Sequence, residues 1–222
     1  MKKIKTIKGE YYHILNRGNN KQLIFKDDRD RIRFLFLILY FQSPAIFYNL
    51  GRQVSYYVRH QMFNVSEETI KKIIDTRYVE IVSFTFMPNH FHLIIHELED
   101  GGISRFMQRT LNSHAKYFNA INKTSGHLFQ GPFKVIHIKD DNQLLYLSAY
   151  THRNMREIKE WTDKEELYPW SSYQDFINEN RWGELLKPNI ILEQFPNKDE
   201  YKSFVEKSGA KNLPIDKKLF ID

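Results

Sequence analysis

Apolar positions along this chain change their spacing several times, and each change marks an element. Residues 10–17 (EYYHILNR) have strand character and run into the turn Gly18-Asn19-Asn20. Asp27 or Asp28 is placed to cap a helix running through Ile32, Leu35, Phe36 and Leu39, which Ser43-Pro44 breaks. Two weaker amphipathic stretches follow, near 46–59 and 66–75, the second opened by Ser66 and Glu68. We read them as a helical insertion at about 42–77. Tyr78–Met87 then reads as a strand, Pro88-Asn89 as a break, and His90–His96 as a second strand. In residues 103–122, Ile103, Phe106, Met107, Leu111, Phe118 and Ile121 fall on one stripe at helical spacing. Residues 126–131 form a loop, and 133–138 alternate as a strand. Asp140, Asp141 and Asn142 are capping candidates for a helix that runs through Tyr150 to about Lys159.

The order is strand, helix, strand, strand, helix, strand, helix. It implies an α+β fold of ferredoxin-like type: an antiparallel sheet with helices on one face, plus an added helix that carries Tyr150. From Trp161 the text is rich in turns (LYPWSSYQDF), with one more short helix at 198–207 and a final tail. The expected division is a domain at 1–160, with its insertion, and a C-terminal extension at 161–222 packed on it or trailing from it. At 222 residues, 41% hydrophobic and 27% charged, the chain can build an ordered core.

A formal charge of +6 favours a polyanionic partner, nucleic acid first. The absence of cysteine removes disulfides and thiolate metal sites, and points to a cytoplasmic life. The basic N-terminus is followed by no long apolar run, and the most apolar stretch, 34–41, is far too short to span a membrane.

Two groups of residues carry candidate chemistry. Alternate side chains of a strand share a face, so His90 and His92 point one way while Phe91, Leu93 and Ile95 point into a core. Two adjacent imidazoles can chelate one cation. His96 shares that face but sits about 13 Å further along at strand rise, too far to join the same site. The same spacing also suits histidines on a sheet edge with no metal at all. On the later helix, Tyr146, Tyr150 and Asn154 are spaced four apart and share one side. An amide oxygen at Asn154 suits a hard cation such as Mg2+ or Mn2+; packing of both tyrosines on the sheet is the plainer alternative. Taken together, His90, His92 and Asn154 can hold a metal that polarises a phosphate, with Tyr150 as nucleophile.

The run Phe86-Met87-Pro88-Asn89-His90-Phe91-His92-Leu93 resembles the MPNHxHL signature of the HUH single-tyrosine transposases, in particular the REP-associated branch and its insertion-sequence relatives. Five further blocks agree in order over about residues 11–208. They are Asn16-Arg17-Gly18-Asn19, the segment GHLFQG at 126–131 with Phe133-Lys134, Ala149–Asn154, Tyr168–Tyr173 (YPWSSY), and Tyr201–Val205. The resemblance implies single-stranded DNA nicking and strand transfer through a 5′-phosphotyrosine, on hairpin-flanked DNA, with Mg2+ or Mn2+. It assigns the metal to His90, His92 and Asn154 and the attack to Tyr150, with Tyr146 and Tyr117 as rival nucleophiles. A domesticated, non-cleaving binder of structured DNA or RNA is the alternative, and a homodimer is open. The chain departs from the family pattern where Met155-Arg156 follows Asn154, and where Pro132 replaces an arginine and with it one phosphate contact.

Phosphate contacts from Lys and Arg would supply most of the affinity for DNA. Arg17, Lys21, Arg105, Arg109, Lys116, Lys134 and Lys139 are the candidates, Arg17 and Lys134 first because they stand in the matching blocks. His127, Phe129 and Phe133 either shape the loop beside the site or stack on bases, with core packing the expectation for the phenylalanines.

Overall fold

The computed structural model describes residues 5–208; the tail expected at the C-terminus lies outside the described residues. Strands β1 (Tyr11–Arg17), β2 (Val79–Met87), β3 (His90–Glu97) and β4 (Lys134–Ile138) form one antiparallel sheet in the order β2-β3-β1-β4. This is the expected ferredoxin-like arrangement, and it follows from the alternation in β1 and β3. Tyr12, Ile14, Phe91, Leu93 and Ile95 point to one face, where they pack with helices α1 (Asp28–Tyr40) and α4 (Gly102–Asn122) in the main core. Asp27 caps α1 by accepting from the Asp30 N–H, which settles between the two capping candidates. Ile121 departs from the expected stripe: it lies in the last turn of α4 and is 63% exposed.

The insertion is helical as expected, with α2 (Leu50–His60) and α3 (Glu67–Thr76), the latter capped by Ser66 through the Thr69 N–H. It extends the main core outward. Phe63 packs on Phe36 at 5.3 Å between ring centroids and on Trp182 at 5.3 Å, while Val54 and Ile73 are buried.

The opposite face of the sheet carries Val82, Ile94, Ile136 and Ile138 and is covered by α5 (Asp141–Arg153). This helix is capped by Asp140 but stops six residues before the expected end, at Arg153. Asn154–Glu157 then forms a 3-10 turn, which lets Met155 bury against Met87 and Tyr168. Past residue 161 the chain does more than turn. Helices α6 (Tyr173–Ile177), α7 (Asn189–Leu192) and α8 (Lys198–Lys207) all add side chains to this second core. The segment before α6 runs along β2: the Phe86 N–H donates to the Trp170 carbonyl, and Thr85 bridges to Ser171.

One carboxylate ties the end of this extension together. Asp175, 1% exposed, accepts from the backbone N–H, Nε and Nη2 of Arg181 at 3.0, 2.8 and 2.8 Å and from Trp182 Nε1 at 3.2 Å. Removing one partner from such a pair strands the other, so Asp175→Ala is expected to lower the unfolding free energy by about 3 kcal/mol or more. Urea unfolding at fixed pH reads this directly; a loss below about 1 kcal/mol would mean that the pair is an exposed one in effect.

His114, on α4, donates from Nε2 to the Ile24 carbonyl at 2.8 Å and sits among Phe25, Phe34 and Phe118. Burial pushes its pKa down from 6.5 to about 4. Between those values the unfolded chain binds a proton that the folded one refuses. Stability is therefore full above pH 6.5, falls as pH drops toward 4, and is flat below, a loss of about 3 kcal/mol from this group. The stability gap between wild type and His114→Gln should shrink by that amount from pH 7 to pH 4. A gap that stays constant would contradict the assignment.

Candidate active site

The second face of the sheet places four residues of the sequence reading in one buried spot. His90 and His92 project from β3, and α5 lies over them with its Tyr150 and with Asn154, the residue that follows its last turn; all four are at most 5% exposed. The imidazoles of His90 and His92 meet edge to face at 5.2 Å between centroids, and the Tyr150 ring stands perpendicular to His92 at 5.4 Å. The helix is pinned at this point: Thr85 Oγ1 on β2 donates to the Thr151 carbonyl at 2.8 Å and lies 3.0 Å from Ser171 Oγ. Behind it, His152 bridges Tyr201 Oη at 2.7 Å and Ser172 Oγ at 2.9 Å, so the C-terminal extension fixes the helix that bears Tyr150.

The hydrogen bonding leaves the site rich in lone pairs. His90 lies between two amide oxygens, with Nδ1 at 2.7 Å from Asn89 Oδ1 and Nε2 at 3.1 Å from Asn154 Oδ1. The Asn89 amide is oriented by its own N–H donation to the Lys21 carbonyl at 3.3 Å. A neutral imidazole has one proton for these two oxygens. With that proton on the shorter contact, Nε2 and the Asn154 oxygen face each other as two acceptors. His92 Nε2 is fully buried and has no hydrogen-bond partner. Burial first, then the neighbouring His13, His90 and Arg17, hold the His92 pKa well below 6.5, which keeps it neutral and able to ligate. Two imidazoles and an amide oxygen brought together on this face, one of the imidazole nitrogens unpartnered, are donor types that fit a divalent cation. Among the described residues no group of three His, Cys, Asp or Glu could hold a metal, so a cation here would depend on the Asn154 oxygen.

The other sequence candidates separate. Tyr146 does not share the inward face of Tyr150: it packs on Phe204 of α8 at 5.6 Å. Steps of four residues drift by about 40° each on an α-helix, so a row of three spans too wide an arc to meet one target. Tyr117 is on α4, across the sheet, beneath the guanidinium of Arg33 at 4.4 Å. His96 pairs with Glu80 at 3.0 Å and stacks on Tyr11, away from His90. Phe129 belongs to the main core and Phe133 packs against it.

Of the basic residues, Arg17 and Lys134 line one open cleft of about 690 Å³ together with Asn16, Lys21, Gln130 and Pro132. The register brings this cleft to the site, because Arg17 pairs with His90 and Leu15 with both His92 and Lys134. The turn after Arg17 is tight at Gly18, where a Cβ would lie 2.1 Å from the Gln22 carbonyl oxygen. Arg105, Arg109 and Lys116 are on α4, on the far side of the sheet. Arg109 is engaged by the carbonyls of Ser43 and Ala45 and stacks on Phe41, and Arg105 pairs with Glu99 at 2.7 Å. These two arginines hold protein rather than facing the cleft. Lys139 stands between β4 and the Asp140 cap of α5, its backbone N–H donating to Gln143 Oε1 at 2.6 Å.

His13 is the residue that motif spacing did not reveal. It is fully buried on β1, on the same face as His92, and its Nε2 lies 2.9 Å from His92 Nδ1. The available signal was alternation in β1, which puts His13 on the face of Arg17; the strand order needed to bring it beside His92 was not legible from one segment.

Residues 52–154 match the family model described as transposase IS200-like. That stretch contains His90, His92, Tyr150 and Asn154 and is just under half of the chain, so the likeness to IS200-like transposases runs through the part that holds the site. A solved structure of a REP-associated tyrosine transposase bound to a REP hairpin is similar over 80% of this chain and 86% of that chain, at 15% identity and a TM-score of 0.49. No curated protein matches the chain significantly. Among the described residues, no helix is long and apolar enough to cross a membrane.

Proposed function

We propose that this chain, similar through residues 52–154 to the IS200-like transposases, is a transposase that nicks and rejoins single-stranded DNA at the site formed by His90, His92, Asn154 and Tyr150. The observation that carries the reading is the buried, unpartnered Nε2 of His92 beside the Tyr150 ring, on the strand where His90 Nε2 meets the Asn154 oxygen at 3.1 Å. His90, His92 and Asn154 would hold a Mg2+ or Mn2+ ion, which supplies charge stabilisation at the scissile phosphate. Tyr150 Oη attacks phosphorus and gives up its proton. The bond from phosphorus to the 3′ oxygen breaks, that oxygen leaves as a 3′ hydroxyl after taking a proton, and the 5′ phosphate stays on Tyr150 as an ester. The ester keeps the bond energy, so a second 3′ hydroxyl can reverse the step on a new partner strand.

The rest of the chain serves placement. Thr85, Ser171, Ser172, His152 and Tyr201 hold α5 so that Tyr150 and Asn154 face the sheet. The cleft with Arg17, Lys21 and Lys134 offers cations for the phosphates of the strand entering the site. Pro132 lines that cleft at the position where the resemblance to the HUH family implies an arginine, so binding there rests on fewer charges.

The test is incubation of the purified chain with a labelled single strand carrying a hairpin, in Mn2+, in Mg2+ and in EDTA. The account predicts cleavage and a protein–DNA adduct in the metal ions and neither in EDTA. Tight binding of the hairpin with no cleavage in either ion would favour the non-cleaving binder instead.

A further inference from the structure

His13 and His92 share one hydrogen bond, and their side chains have no other hydrogen-bond partner. His13 Nε2 and His92 Nδ1 are 2.9 Å apart, and both rings are fully buried, nearly parallel at 17°. The two outer nitrogens, His13 Nδ1 and His92 Nε2, have no hydrogen-bond partner. His13 itself sits on β1 opposite Ile94 of β3 and Ile136 of β4, so hydrocarbon flanks it on both sides.

One proton occupies the shared bond, and its ownership decides what His92 can do. If His13 donates it, the second nitrogen of His92 carries the other proton, and a buried, unpartnered N–H stands where a lone pair is needed. If His92 donates it, Nε2 is bare. Each arrangement leaves one unpartnered N–H and one unpartnered lone pair in the pair, so the hydrogen bond alone does not choose between them. A cation beside His92 Nε2 does, because only the second arrangement can bind it. A ligating imidazole held by an acceptor at its other nitrogen is also the better base and cannot rotate away.

We propose that His13 is a positioning residue for His92: its Nε2 accepts the Nδ1 proton of His92, which orients that ring and leaves its Nε2 lone pair turned to the cation site. This rests on the reading of the site as a metal centre. It concerns the acceptor atom at position 13, so an amide oxygen of glutamine can stand in for the imidazole nitrogen, and a phenylalanine cannot.

The experiment is Mn2+ binding to the full chain without DNA, by titration calorimetry, for wild type, His13→Phe, His13→Gln and His92→Ala. Thermal midpoints in EDTA establish that each variant is folded. The expected result is affinity weakened about 10- to 100-fold in His13→Phe, retained within about threefold in His13→Gln, and lost in His92→Ala. If His13→Phe binds as tightly as wild type while His92→Ala does not bind, the inference about His13 falls and the metal centre stands. If His92→Ala matches wild type, the metal reading falls and takes this inference with it. Should His13→Phe fail to fold, the wild-type protein decides: long-range proton–nitrogen correlation spectra with Mg2+ should show both His13 and His92 protonated at Nδ1. Protonation of His92 at Nε2 under those conditions would overturn the inference.

Discussion

A Tyr150→Phe protein is expected to bind DNA and metal like wild type but to form no covalent complex with DNA and to cleave it slower by about 10⁴-fold or more, since no other group replaces a lost nucleophile. The ring stays, 4% exposed and edge-on to His92, so packing is kept. Loss of one hydroxyl should cost about 1 kcal/mol of stability. The measurement is adduct yield on a denaturing gel with a labelled strand, beside a urea unfolding curve. Tyr146 and Tyr117 are poor substitutes because one packs on Phe204 and the other lies across the sheet beneath Arg33. Adduct persisting in the variant would show that a tyrosine outside the buried spot does the chemistry.

The second large effect is expected from His90→Ala. This removes a nitrogen that faces the Asn154 oxygen at 3.1 Å and the group that orders Asn89. Mn2+ affinity should fall by about 100-fold, as for loss of a group that binds or orders a metal. Cleavage at low Mn2+ should fall by about 10³-fold, as for loss of a preorganised charge at the phosphate. Millimolar Mn2+ should restore part of the cleavage, because His92 and Asn154 remain. Unchanged Mn2+ binding together with lost cleavage would place His90 on the DNA rather than on a cation.

Much of the fold was legible because the apolar period is clear where one face of an element is buried. Strands β2 and β3, helix α4 and the cap at Ser66 follow from local pattern. The end of α5 did not, because its stop at Arg153 depends on Met155 finding a place against Met87 and Tyr168, a contact between distant segments. The turn-rich text after Trp161 hid α6 and its docking on β2, since Ser171 and Ser172 gain their meaning from hydrogen bonds to Thr85, Phe84 and His152. At the site, His90 and His92 were visible through strand alternation, and Tyr150 with Asn154 through helical spacing. That same spacing misled on Tyr146, where angular drift along the helix turns the ring to α8. The charge of Arg109 was visible, but its engagement by the Ser43 and Ala45 carbonyls was not.

The most direct test of the account is to trap the covalent complex formed in Mn2+, digest it with trypsin and locate the nucleotide by fragmentation mass spectrometry. Cleavage after Lys139 and Arg153 puts Tyr146 and Tyr150 on one peptide, residues 140–153, so the site must be read from fragment ions rather than from peptide mass. The account predicts a 5′-phosphate ester on Tyr150 alone. A modification on Tyr146, on Tyr117 or on any other residue would contradict it.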